Sequence, residues 1–254
     1  MPHLNELQEK YGERGLTVLG VTGEGKGPTE KWVDEKDARY PYTYDKGGLG
    51  KELGVSGIPV AFLVDASGTV VWRGHPGGLR DATIEEHLDG VLSYPLWEWS
   101  KDARKAKDAF IDGKFDKAIA EAKDLAEEGE EGKRILASIQ AVLAGRMSAM
   151  ESALEKGDVL GALTVAEGLV KGVDDLPEEE RIKAVLKQIA KDKQLKGWLK
   201  DQRELAELKQ EGYRSANDAR KLEKKLEKLL KGNEGTFVGD QIEAYLKQVS
   251  IDAS

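Results

Sequence analysis

The chain has 254 residues, 39 basic and 47 acidic, a formal charge of −8 and no cysteine. That balance argues against a nucleic-acid binder, which carries a basic face to neutralise phosphates. The missing cysteines exclude disulfides, thiolate nucleophiles, iron–sulfur clusters and Cys-ligated zinc in these residues. The longest run free of Asp, Glu, Lys and Arg is Leu53 to Val64, shorter than the roughly 20 apolar residues of a membrane-spanning helix. The first residues do not read as a secretory leader, having no charged start followed by an apolar run.

Leu4, Leu7 and Tyr11 recur at helical spacing, and Gly12 and Gly15 stop that helix. Residues 16–21, Leu-Thr-Val-Leu-Gly-Val, read as a buried strand. After a Gly-rich loop, Pro28 suits the first turn of a helix carrying Trp32 and Val33. Tyr40-Pro41-Tyr42 breaks that helix, because a residue before Pro avoids helical backbone. Leu49 to Leu53 is a short helix, residues 60–64 a continuous apolar strand, and Asp65-Ala66-Ser67-Gly68 a hairpin turn into residues 69–72. Ile84, Leu88 and Val91 mark a last helix. The order is α-β-α-α-β-β-α, in which strand–helix–strand implies parallel pairing and the hairpin adds an antiparallel edge.

The composition changes near residue 99. Six of the seven Pro precede residue 96, while 29 of the 39 basic residues follow residue 99. The remainder reads as charged helices rich in Ala and Leu. Ala109, Gly113, Ala118 and Ala122 recur as Ala153, Gly157, Ala162 and Ala166, an offset of 44 residues. Each copy reads as helix, Gly turn, helix, an αα-hairpin whose repetition implies stacking. The period exceeds the roughly 34 residues of a tetratricopeptide repeat, so the array is tetratricopeptide-like only. Further apolar stripes are Ile182, Val185, Leu186 and Ile189; Leu222, Leu226, Leu229 and Leu230; and Phe237, Ile242, Leu246 and Val249. Two domains are expected, 1–92 α/β and 93–254 all-α.

Residues 20–27, Gly-Val-Thr-Gly-Glu-Gly-Lys-Gly, approach a phosphate loop, but Gly27 stands where a magnesium-holding Ser or Thr is needed. His3, His75 and His87 have no metal-ligand spacing, so no metal site is assigned. There is no Gly-x-Ser-x-Gly elbow, and no catalytic residue or cofactor is assigned. Trp97 and Trp99 read as packing residues at the domain junction.

The most informative segment is Gly54-Val55-Ser56-Gly57-Ile58-Pro59-Val60 with its apolar strand and Asp65-x-x-Gly68. A Pro heading a strand removes a ladder donor and is tolerated in a special turn, commonly a cis one. Together with Met1-Pro2-His3-Leu4-Asn5-Glu6-Leu7, Tyr11, Gly15 and residues 16–21, this segment resembles thioredoxin-like redoxins of the TlpA-like branch over residues 1–92. Val60 replaces that family's usual Thr. The resemblance implies a thioredoxin-like fold, thiol–disulfide oxidoreductase activity, a protein or peptide partner facing Ile58 and Pro59, and an extracytoplasmic setting. It also implies a strand ending in Trp-Cys-x-x-Cys just upstream of Met1, lying between strands 16–21 and 60–64. This chain has neither thiol, so no catalytic residue carries over and the chain is expected to be redox-inactive as it stands. Without that strand the two flanking strands have open inner edges, and the N-terminal domain is expected to be unstable, to aggregate through those edges, or to close the gap by pairing 16–21 directly with 60–64. The alternative function is a non-enzymatic protein-interaction module built on the helical repeats.

Overall fold

The structure, a computed structural model, describes residues 2–66, 68–88, 90–213 and 215–253. The chain divides into two compact units, 1–146 and 147–254. The first holds α1 (Pro2–Tyr11), β1 (Gly20–Thr22), α2 (Lys26–Lys36), β2 (Tyr42–Tyr44), α3 (Gly48–Glu52), β3 (Ala61–Val64), β4 (Val70–Gly74), α4 (Asp81–Glu85), α5 (Arg104–Ile111) and α6 (Phe115–Glu128). The division falls within α7 (Glu130–Glu155), and α8 (Val159–Leu169), α9 (Glu178–Lys191), α10 (Lys193–Glu211), α11 (Ala216–Leu230) and α12 (Phe237–Ala253) complete the second. An α/β region is thus followed by a long all-α one, as expected.

The sheet differs from the expectation. Among the described residues there are two separate two-stranded sheets: β1 pairs in parallel with β2, and β3 pairs antiparallel with β4. β2 follows the helix-breaking Pro41, and all three of its residues are exposed, so it lacks the alternation that marks a strand. The expected strand at 16–21 is regular only at 20–22. Upstream of it, the Val18 N–H donates to Gln8 Oε1 at 2.7 Å, so a side chain of α1 takes up a group that a neighbouring strand would otherwise accept. Residues 16–21 do not pair directly with 60–64: β1 pairs with β2 and β3 with β4.

The core of the α/β region is Leu7, Tyr11, Leu63, Leu79 and Ile84, with Leu4, Leu16, Val71, Trp72 and Leu88 packed around it. Burying five such side chains supplies on the order of 10 kcal/mol before conformational entropy is counted. α1 is tied to this region by polar contacts as well. Buried Asn5 donates to the Asp37 carbonyl and accepts from the Arg39 N–H at 2.9 Å. The last helix ends at Glu85, well short of Leu88 and Val91.

Residues 90–100 pack within the first unit. Ser93 and Ser138 share a hydrogen bond at 3.0 Å, and the Arg134 guanidinium lies 4.2 Å over the Tyr94 ring. Trp99 is buried, donates to the Tyr94 carbonyl at 3.0 Å and neighbours the rings of Tyr94 and Phe110. Trp97 is 62% exposed, so only one of the two indoles is a packing residue.

The repeated turn recurs bond for bond. The Lys114 N–H donates to Ala109 O and the Gly113 N–H to Phe110 O; 44 residues on, the Asp158 N–H donates to Ala153 O and the Gly157 N–H to Leu154 O. This is the Schellman pattern, and it needs a left-handed residue, met by Gly113 at φ 74° and Gly157 at φ 83°. Ala118, Ala122, Ala162 and Ala166 are all fully buried, which suits closely approaching helices. The core of the second unit includes Leu205, Leu222, Leu226, Val238 and Ile242.

Candidate functional site

The loop between α3 and β3 carries both residues singled out by the sequence. Ile58 is 90% exposed, the most exposed large apolar side chain among the described residues, and the adjacent Pro59 is exposed too. The Ile58–Pro59 peptide bond is cis. Ladder pairing begins only at Ala61, after the Pro that cannot donate. An apolar side chain held in water at a strand entry gains nothing for the fold, since its transfer energy is unrealised.

The loop is held from behind. The Arg73 guanidinium, on β4, donates to the Gly54 carbonyl at 2.9 Å and lies 5.4 Å over the Phe62 ring of β3. The Val55 N–H donates to the Gly50 carbonyl at 2.8 Å, closing the end of α3. Residues 56–59 thus project from a base fixed at both ends. Arg73 was not foreseen; its only trace in the sequence is a cation inside an otherwise apolar strand.

Other large apolar side chains of this unit are exposed as well. Leu19 just before β1, Val21 of β1, Leu49 of α3, Val64 of β3 and Val70 of β4 are each more than 40% exposed. Tyr42 and Tyr44 meet edge to face at 5.9 Å, and partial burial raises the Tyr44 hydroxyl above its ordinary pKa. Among the described residues no group of three or more His, Asp or Glu is placed to hold a metal ion. His3 donates to the Leu79 carbonyl at 3.1 Å, and His75 Nδ1 accepts from the Gly77 N–H at 3.1 Å, so both serve turns.

The Gly-rich segment after β1 is no phosphate cradle. α2 starts at Lys26, whose side chain is 77% exposed and pairs with Glu30 at 3.6 Å, and Gly27 lies inside the helix. Thr29 is buried and turns its hydroxyl back to the Gly25 carbonyl at 3.0 Å.

The α/β region with its Ile-Pro strand entry is redoxin-like in class. Residues 1–73 match the AhpC/TSA family. The chain is 36% identical over 93 residues to the thiol-disulfide oxidoreductase ResA of Bacillus thuringiensis subsp. konkukian (strain 97-27), covering 36% of this chain and 53% of that protein. It is 31% identical over 92 residues to the thiol:disulfide interchange protein DsbE of Pasteurella multocida (strain Pm70), covering 34% and 49%. It is 33% identical over 105 residues to DsbE of Escherichia coli (strain K12), covering 40% and 51%. The chain spans about half the length of the curated relatives it matches. No solved structure matches it. Among the described residues no helix is long and apolar enough to cross a membrane.

Proposed function

We propose that residues 1–92 form a redoxin part of the thiol–disulfide oxidoreductase type that offers the Ile58–Pro59 loop to an extended protein or peptide segment, with 93–254 as its helical part. The observation that carries this reading is the exposure of Ile58 at 90%, on a loop tied down by Arg73, inside the segment that matches the redoxin family. Thiol–disulfide exchange proceeds by thiolate attack on a disulfide sulfur. These 254 residues supply no thiol, so they hold a partner and do not exchange its disulfides. An extracytoplasmic setting follows from the same reading, because dithiol exchange operates where disulfides persist.

Two measurements test it. In a dithiol-driven insulin reduction assay the chain gives no rate above the uncatalysed control; a rate above it overturns the inactivity. Titration with alkylated insulin B chain shifts the amide resonances of residues 54–61, and Ile58→Asp abolishes those shifts. Shifts that avoid this loop, or none at millimolar peptide, overturn its role in binding.

A second reading has its own observation. The Gly113 and Gly157 turns repeat hydrogen bond for hydrogen bond, as in stacked helical hairpins that present extended binding surfaces. On this reading the helices bind the partner, and the same peptide perturbs residues beyond 100 only.

A further inference from the structure

A groove of about 780 Å³ runs along α10 and is walled on one side by Lys225 and Lys228 of α11. From α10 it is lined first by Lys196, Lys200 and Arg203, then by Glu204, Glu207 and Glu211. The order of charge is antisymmetric about the midpoint between Arg203 and Glu204. Arg203 mirrors Glu204, Lys200 mirrors Glu207, and Lys196 mirrors Glu211. The two apolar lining residues, Leu199 and Leu208, are also equidistant from that midpoint. At about 100° per residue, all six charges fall within about 50° of one line along the helix.

This arrangement does little for the isolated chain. Basic residues stand toward the N-terminus of α10 and acidic ones toward its C-terminus, against the helix dipole. Lys200 precedes Glu204 and Arg203 precedes Glu207, the weaker order for pairing within a helix. Among the described residues neither of these pairs comes within 4.0 Å, and Lys196, Lys200, Arg203, Glu204 and Glu207 make no ion pair. Glu211 alone is engaged, by Lys225 at 3.1 Å, and keeps 63% of its side chain exposed.

We infer that α10 is a self-complementary face that pairs antiparallel with α10 of a second copy of this chain, across a two-fold axis at the Arg203–Glu204 midpoint. In such a contact residue i meets j while j meets i. Each base then faces the acid at the mirrored position: Lys200 against Glu207, Lys196 against Glu211, Arg203 against Glu204, each pair made twice. The half-buried Leu199 flanks these pairs. Charges at a rim give specificity and steering more than affinity, so the association is weak and salt-sensitive.

Sedimentation velocity on the full chain tests this. The parent forms dimers at low ionic strength that dissociate at about 1 M salt, where the Debye length is about 3 Å. Lys200→Glu and Glu207→Lys each weaken dimerisation about tenfold or more, since each reverses two symmetry-related contacts. Both substitutions lie on exposed positions and leave helicity unchanged by circular dichroism. An equimolar mixture of the two single variants regains parent-like dimers, because every facing pair is again opposite in sign. The chain carrying both substitutions does the same. A parent that stays monomeric, single variants that dimerise like the parent, or a mixture that fails to recover would each overturn the assignment.

Discussion

Gly90 and Gly145 approach so closely that a Cβ built on Gly145 would lie 2.3 Å from the Cα of Gly90. The neighbour is backbone and cannot rotate away. Two effects of opposite sign meet at position 145, inside α7. Replacing a helical Gly by Ala gains about 1 kcal/mol in propensity, while forcing a methyl into a filled space costs about 1–3 kcal/mol. The clash wins, so Gly145→Ala lowers stability in urea unfolding. Gly197→Ala is the control: it is also helical, and a methyl there meets nothing within 4 Å. That substitution raises stability by about 0.4–1 kcal/mol.

Asn5→Ala destabilises the α/β region by about 1–3 kcal/mol. Its amide joins α1 to the carbonyl of Asp37 and the N–H of Arg39, at the left-handed end of α2. Alanine leaves both backbone groups without that partner. Asn5→Asp keeps the acceptor for the Arg39 N–H and turns the donor into a second acceptor facing Asp37, so it recovers only part of the loss. Thermal unfolding of the three chains orders them Asn, Asp, Ala; equal midpoints would show that the contact carries no stability.

The elements most legible in the sequence are those whose burial follows one helix face. Ile182, Val185 and Ile189 are all buried on α9, and Leu222, Leu226 and Leu229 on α11, where spacing alone selects the inward side. The repeated Gly turn was legible because Gly113 and Gly157 each sit at a left-handed helix end, which glycine adopts most cheaply. β2 was not legible, since Tyr42–Tyr44 has no buried face. The shortening of β1 was hidden because its cause, Gln8 bonding Val18, lies on another element. At the candidate site, Ile58 and Pro59 could be named because Pro in a strand entry is locally unusual. Arg73 could not, because its partner Gly54 is 19 residues away and a backbone acceptor leaves no mark in sequence.

Asp81 makes the α/β region sensitive to acid. A hydrogen bond from the Lys10 ammonium holds its carboxyl below the ordinary carboxylate range, joining α1 to α4. A group whose folded pKa is depressed stabilises above its unfolded value, about 3.9, and that stability is lost as pH falls through the folded value. Both side chains are about half exposed, so the effect is small and screened by salt. Amide exchange of residues 81–85, followed from about pH 6 to about pH 3 after correction for intrinsic rates, shows falling protection in the parent. Asp81→Asn removes that slope; an unchanged slope in the variant would assign it to another group.

The two-stranded sheets are expected to open before the packed helices. Among the described residues β1 has a partner only in β2, and β3 only in β4. Each edge turned away from its partner presents backbone groups to water, and isolated two-stranded pairs are marginal in water. Apolar burial compensates on one face only: Leu63 of β3 and Val71 and Trp72 of β4 join the core, while Val21 is 46% exposed and Val64 52%. In contrast, Ala118 and Ala122 on α6 and Ala162 and Ala166 on α8 are fully buried, so opening those helices exposes packed surface and costs far more. Amides of 20–22 and 61–64 therefore exchange well before those of α6 and α8. The same open edges template association between chains, and light scattering on heating rises before helicity is lost. Protection of 20–22 and 61–64 equal to that of α6 in a monomer would mean that both edges are covered, and would overturn this account of the sheets.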